Sequence, residues 1–295
     1  MEVEEKKSFN GVTTGTFDGV HRGHQALLRL LAKECGLRGA EPVVLTFDRH
    51  PLEVIAPERA PKLLMLPAER DLMLASSGMR VVELPFTEAL RRLTAAEWMR
   101  ELKERYGAAL VVTGYDNSFG SDCRTLSDDD YAAMARDLGL EYFKGTELPG
   151  ISSSRIRHSL EDGDIESVNR MLGRDWHLAG NVEAGLKVGR KLGFPTANLR
   201  MDPRLALPGT GVYATTVTLP DGSRLPAITN VGVRPTFGGE GKETTVETHI
   251  PGFSGDLYDR EIDVTFHKWL RGERRFDSAE DLRRQIERDV AGLRF

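Results

Sequence analysis

Cysteine is almost missing from this chain: Cys35 and Cys123 are the two cysteines among 295 residues. Neither stands in a Cys-x-x-Cys pair, which excludes a disulfide framework and a thiolate zinc site and leaves two reduced thiols. Long apolar runs are missing as well, and no stretch approaches the roughly 20 residues that cross a bilayer. The opening MEVEEKKSFN is acidic and lacks the apolar core of a leader peptide. A cytoplasmic protein with no membrane partner is therefore expected. A basic surplus is missing too: 40 Lys and Arg stand against 45 Asp and Glu, a net charge of -5. Proteins that grip nucleic acid carry a basic excess or stripe, so no nucleic-acid partner is expected. Anionic ligands, if any, must be held by local basic groups and backbone amides. Weak homo-oligomerisation is left open. Finally, no Gly-x-x-x-x-Gly-Lys-Ser/Thr occurs, which excludes the usual phosphate loop.

What is present is ordinary globular material, 40% hydrophobic and 29% charged, and long enough for two domains with cores of their own. The first half alternates strand and helix patterns. GVTTGTF (11–17) reads as a strand, followed by a helix with Leu27, Leu28 and Leu31 on one face. PVVLTF (42–47) and AALVVTG (108–114) are apolar throughout, as strands buried on both faces are. Helices are predicted over Pro67–Ser77 and Ala95–Tyr106, the second opened by Thr94-x-x-Glu97 and closed by Gly107. Ser127-x-x-Asp130 opens another helix, and LEYFKG reads as a further strand. This alternation predicts a parallel sheet flanked by helices, with ligands at the carboxyl ends of its strands.

The pattern changes near residue 175. WHLAGNVEA, GVYATTVTL, RLPAITNVGV, TTVETHI and EIDVTFHKWL are short alternating segments punctuated by Gly and Pro, the signature of an antiparallel barrel or sandwich. A helix closes the chain from Ser278, with Leu282, Ile286 and Val290 marking its expected buried face. The expected domains are 1–174 and 175–295.

Chemistry-bearing residues concentrate at Gly15-Thr16-Phe17-Asp18-Gly19-Val20-His21-Arg22-Gly23-His24. A strand ends, glycines turn the chain and a helix begins, so free amides and the helix dipole can receive an anion. Gly23 would let a phosphate approach the backbone. His21 and His24, three apart, share a helix face and can donate to a phosphoryl group as charge develops on it. Ser152, Ser153 and Ser154 precede Arg155 and Arg157 at another helix start, a set of hydroxyls and guanidiniums suited to a polyphosphate. Each motif alone has a bland reading as surface histidines or a plain helix cap. Together they recur in nucleotidyltransferases.

GTFDGVHRGHQALL, TFDRHP, GYDNSFG and ISSSRIRHSLEDGDIESVNRMLG resemble the adenylyltransferase half of the prokaryotic bifunctional riboflavin kinase/FAD synthetases. Residues 177–290 are similar to the kinase half of the same family. The resemblance implies a Rossmann-like α/β nucleotidyltransferase domain followed by an antiparallel β-barrel kinase domain. It implies that the FMN phosphate attacks the α-phosphorus of ATP and releases pyrophosphate. Carried over residue by residue, His21 and His24 contact ATP phosphates. Gly15, Phe17 and Gly23 line the same site. Ser153, Ser154 and Arg157 hold the pyrophosphate, and Asp116 lies in the nucleotide or flavin pocket. Asn117, Ser118 and Arg49 depart from the family pattern, away from the phosphate machinery and near the flavin and adenine contacts.

In the second half, Gly185, Gly189, Arg190 and Gly193 lead into Pro195-Thr196-Ala197-Asn198. The glycines can form a phosphate-cradling loop. Thr196 and Asn198 point the same way on an extended segment and offer neutral oxygens to Mg2+. Alternation puts Thr245, Glu247 and His249 on one strand face. By the resemblance, Glu247 is the base that takes the proton of the riboflavin 5′-hydroxyl, and Arg271 contacts the flavin. Phe194 could stack near the isoalloxazine, with core packing the preferred assignment. The substrates implied are ATP, riboflavin and FMN. Three alternatives stand beside this reading: a chain with only its kinase half active, a non-catalytic flavin-binding module, and a different nucleotidyltransferase with the His-x-Gly-His motif, which would not need the Pro-Thr-Ala-Asn and Glu-x-His elements.

Overall fold

Five short parallel strands and the helices between them build the first half of the chain. The computed structural model describes residues 9–116, 118–184, 193–235 and 242–293. They form two compact units, Met1–Ser153 and Ser154–Phe295.

The first unit runs β1 (Asn10–Thr14), α1 (Arg22–Arg38), β2 (Glu41–Phe47), α2 (Pro51–Ile55), α3 (Pro67–Ser76), β3 (Arg80–Leu84), α4 (Glu88–Arg92), α5 (Ala95–Tyr106), β4 (Ala108–Thr113), α6 (Asp128–Asp137) and β5 (Glu141–Lys144). The sheet order is β3-β2-β1-β4-β5, parallel throughout, so the strand order reverses at β1. Central strands are apolar on both faces because helices cover both. On β2, Val43, Leu45 and Phe47 join α5 residues Trp98, Met99 and Leu102 in one core. Val44, between them, joins Leu27, Leu28 and Leu31 of α1 in the other. The expected capping boxes at Thr94/Glu97 and Ser127/Asp130 are both formed. Gly107 ends α5 at φ 64, a left-handed conformation that glycine adopts freely.

Strand β1 is shorter than the 11–17 run predicted for it. It stops at Thr14 because Phe17 (φ 51), Gly19 (φ 79) and Val20 (φ 37) take left-handed conformations that no strand admits. Such a conformation costs a side-chain-bearing residue about 1–2 kcal/mol. Burial of Phe17 and Val20, at 2% and 1% exposure, offsets the strain.

The second unit opens with the body of α7 (Ser153–Glu161), followed by α8 (Ile165–Leu172). Six strands then follow: β6 (Trp176–Glu183), β7 (Thr196–Arg200), β8 (Gly211–Thr218), β9 (Arg224–Pro235), β10 (Lys242–His249) and β11 (Glu261–Arg271). They close as a barrel in the order β10-β7-β6-β11-β8-β9, so no strand edge is left open. Period-two alternation fills the interior: Leu178, Val182, Tyr213, Val217, Val231, Val246, Val264 and Phe266 are buried. Three polar residues share that interior. The Thr229 hydroxyl lies 2.9 Å from those of both Thr215 and Thr248, a chain across three strands. Helix α8 packs on β6 and β11. Asn169 of α8 accepts from Trp176 N–H at 2.7 Å and donates to the Phe266 carbonyl at 2.9 Å.

The last helix, α9 (Ala279–Ala291), starts at Ser278 as expected. Its apolar face is only half-buried, and its one buried residue is Asp289. Among the described residues, no helix is long and apolar enough to cross a membrane.

Candidate active sites

In the first unit, the turn after β1 brings together most of the residues singled out there. Val20 N–H donates to the Phe17 carbonyl at 2.9 Å and closes the turn. Leu64 N–H donates to Asp18 Oδ1 at 2.9 Å, and the Ser153 hydroxyl donates to the Asp18 carbonyl at 2.9 Å. Asp18, 4% exposed, is thus a hub that the sequence motif did not single out.

His21 is not on the first helical turn, where the spacing had put it. It is the N-cap of α1, with extended backbone, and its Nδ1 accepts from His24 N–H at 3.3 Å. Histidine is outside the usual capping set, so composition gave no sign of this role. Accepting at Nδ1 leaves Nε2 as the donor of this ring. The two imidazoles nevertheless meet, stacked with centroids 3.6 Å apart and planes at 15°. Burial and the neighbouring His21 push the His24 pKa well below the usual histidine range, so His24 is neutral. Its Nδ1 is buried with no hydrogen-bond partner among the described residues.

The glycines have tighter reasons than phosphate approach alone. A Cβ on Gly23 would lie 3.0 Å from the His21 ring, and one on Gly15 would lie 3.2 Å from the Phe17 ring. Asp116 is exposed at the turn that follows β4. Ser118 is exposed, and Arg49 pairs with Asp48 at 2.9 Å. Asn117 lies outside the described residues. In the second unit, Ser154 and Arg157 stand in the first turns of α7, whose Ile156 and Leu160 are fully buried.

On the barrel, a cavity of about 440 Å³ is lined by Glu247, His249 and Thr196 on one side and by Arg271, Ile286 and Phe276 on the other. Glu247 pairs across the strands with Asn198, and His249 with Thr196. The Thr196 hydroxyl donates to Glu247 Oε2 at 3.5 Å. Phe194 also lines this cavity, edge-on to His249 at 5.3 Å, rather than packing in the core as expected. Phe194 lies two residues before β7, ahead of the first strand pair at Thr196 and His249. A smaller cavity of about 90 Å³ contains Asn198, Phe253, Asp256 and Tyr258, and Thr196 lines both.

Arg271 reaches the large cavity but is engaged there. Its Nε and Nη2 donate to Asp289 Oδ2 at 3.0 and 2.8 Å, and Gln285 donates to Asp289 Oδ1 at 2.6 Å. This pair pins α9 against the end of β11, so Leu282 and Ile286 form cavity wall rather than core. Gly193 turns the chain before β7 at φ 87. Gly185, Gly189 and Arg190 lie outside the described residues. Among the described residues no group of three His, Cys, Asp or Glu could hold a metal. Thr196 and Asn198, alternate residues of β7, pair across the strands with His249 and Glu247, and their neutral side-chain oxygens are of the kind that suits Mg2+ when a nucleotide supplies further ligands.

Comparison with known proteins gives the two halves separate matches. Residues 3–155 match the family model of FAD synthetase, and residues 172–294 that of riboflavin kinase. A bifunctional riboflavin kinase/FMN adenylyltransferase of Pseudomonas fluorescens is 40% identical, covering 96% of this chain and 91% of its own. Its Escherichia coli K12 counterpart is 33% identical over 94% of this chain and 90% of its own. A Streptococcus pneumoniae crystal structure described as a macrolide-efflux protein has a TM-score of 0.87 at 30% identity, covering 96% of this chain and 93% of that one.

Proposed function

This chain belongs to the family of bifunctional riboflavin kinase/FMN adenylyltransferases, and we propose that residues 1–174 carry the adenylyl transfer and residues 175–295 the kinase reaction. ATP, riboflavin and FMN are the substrates these activities imply. We read the protein as a cytoplasmic enzyme with small-molecule partners.

The observation that carries the kinase assignment is Glu247 at the wall of the larger cavity, 3.5 Å from the Thr196 hydroxyl that borders both cavities. A volume of about 440 Å³ whose lining mixes Ile228, Phe276, Leu282 and Ile286 with polar and charged side chains suits a fused-ring substrate such as riboflavin. The smaller cavity then takes part of the nucleotide, and transfer occurs past Thr196. Glu247 accepts the proton of the 5′-hydroxyl as that oxygen attacks the γ-phosphorus, because a neutral hydroxyl gains from a positioned base. Thr196 and Asn198 would hold Mg2+, which supplies charge neutralisation on the phosphates. Gly185, Gly189, Arg190 and Gly193 are assigned to cradling those phosphates, and Arg271 to orienting the flavin wall through Asp289.

In the adenylyl transfer the nucleophile is the FMN phosphate, already an anion, so no base is needed. The reaction needs two polyanions aligned and charge stabilised on the α-phosphorus. His21 Nε2–H and the neutral His24 ring are assigned to that stabilisation, with Gly15, Phe17 and Gly23 shaping the turn. Ser153, Ser154 and Arg157 are assigned to the leaving pyrophosphate, and Asp116 to the substrate pocket.

Incubation with riboflavin, ATP and Mg2+, followed by separation of the flavins over time, tests the reading. FMN rising first and FAD following is the expected course. Glu247→Gln should lose FMN formation and keep FMN-to-FAD conversion, and His24→Ala should do the reverse. Equal loss of both reactions in either variant would defeat the two-site assignment.

A further inference from the structure

Helix α7 opens with the serine–arginine segment, yet its body packs with the kinase barrel. Neither family match covers residues 156–171. Gly209 N–H donates to the Leu160 carbonyl at 2.8 Å. Gly209 sits so close that a Cβ there would lie 2.4 Å from the Glu161 carbonyl oxygen and 3.0 Å from Gly163 N. Tyr213, on β8 and fully buried, donates its hydroxyl to the Gly209 carbonyl at 2.5 Å. The same hydroxyl would lie 2.8 Å from a Cβ on Gly163, in the turn between α7 and α8. Burial pushes the Tyr213 pKa up to about 12, so it stays protonated and keeps donating. The last turn of α7 is therefore seated by a glycine and a tyrosine of the barrel, without freedom to slide.

We propose that Gly209 and Tyr213 are positioning residues for adenylyl transfer. They act through α7, fixing the axial place of Ser154 and Arg157. On a helix, a displacement of the last turn moves the first turn with it, since the two share one hydrogen-bonded ladder. Tyr213 faces away from the flavin cavity, which its neighbour Val212 lines. The kinase site is thus not directly touched by either residue. This proposal rests on the reading that Ser154 and Arg157 serve the pyrophosphate.

Gly209→Ala requires the Glu161 carbonyl to retreat by about 1 Å to reach ordinary contact, and misplacement of that size costs on the order of 100-fold in rate. Tyr213→Phe removes one hydrogen bond and keeps the ring. Both variants are assayed in the full chain, with riboflavin phosphorylation in the same preparation as the control for a folded barrel. The expected result is a fall in kcat for FMN adenylylation of about 100-fold in Gly209→Ala and about tenfold in Tyr213→Phe, with riboflavin phosphorylation within about twofold. Arg157→Ala separates the two ideas. If it abolishes adenylylation while Gly209→Ala and Tyr213→Phe leave it intact, the positioning role is overturned and the assignment of Arg157 stands. If Arg157→Ala is harmless, the assignment falls and the proposal falls with it. Parallel loss of both activities in the mild Tyr213→Phe variant would make the contact one of general stability and would also overturn the proposal.

Discussion

His24 shows how much one ring can carry. It is held neutral by burial and by the His21 imidazole stacked on it. In the unfolded chain a histidine takes up a proton near 6.5, while the folded ring resists it to well below that value. The unfolded state binds more protons in that interval, so stability rises with pH across it and is lost as pH falls below 6.5. The slope contributed by this residue is at most about 1.4 kcal/mol per pH unit. Urea unfolding at pH 5.5 and 7.5 should show a steeper acid loss in the wild type than in His24→Asn, and identical slopes would remove His24 as the source. The pairing of the two histidines was legible from their spacing, but the capping role of His21 was not. It depends on the left-handed backbone at Phe17 and Val20, which no propensity of Gly-Thr-Phe-Asp-Gly announces.

Elements were most legible where both faces of a strand are covered. β2 and β4 carry the apolar runs Val43–Leu45 and Ala108–Val112 because helices bury them from both sides. β3 was not read as a strand, and its place at the sheet edge explains why: its residues are half-buried or exposed except Leu84. α2 and α4, five residues each, are too short to show a period. α8 did carry a signal, with Asp164 as cap and buried Ile165, Val168 and Leu172 at helical spacing, but it lay inside a motif read for its serines and arginines. Within the barrel, alternation predicted inward positions but not the hydroxyl chain through Thr215, Thr229 and Thr248. A valine fits the same space as a threonine, so only the partners reveal the difference. Thr229→Val should strand the other two hydroxyls in a dry interior and cost about 1–3 kcal/mol, read as a lower urea midpoint with an unchanged m-value. A neutral result would mean that those hydroxyls find other acceptors.

For the whole molecule, fold class and family were legible because the motifs stand in order along nearly the entire chain. The manner in which the chain divides was less so. Packing groups Ser154–Phe295 together, and α8 lies on β6 and β11 with Ile165, Val168 and Leu172 fully buried. Burying each such side chain is worth about 1.5–3 kcal/mol, against a total stability of about 5–15 kcal/mol for a typical domain. A fragment spanning 154–295 should therefore melt cooperatively and well above one spanning 176–295, as seen by calorimetry. Equal melting temperatures would mean that α8 adds nothing to the barrel. The seat at Gly209 also bears on descent. It admits the Glu161 carbonyl only while no side chain stands there, so the seat requires glycine at 209 in whichever parent supplies the barrel. A recombination crossover near residue 153 would take both from one parent. One near residue 174 would set one parent's helix into the other's socket, and the resulting hybrid would depend on how well two separately evolved surfaces happen to match.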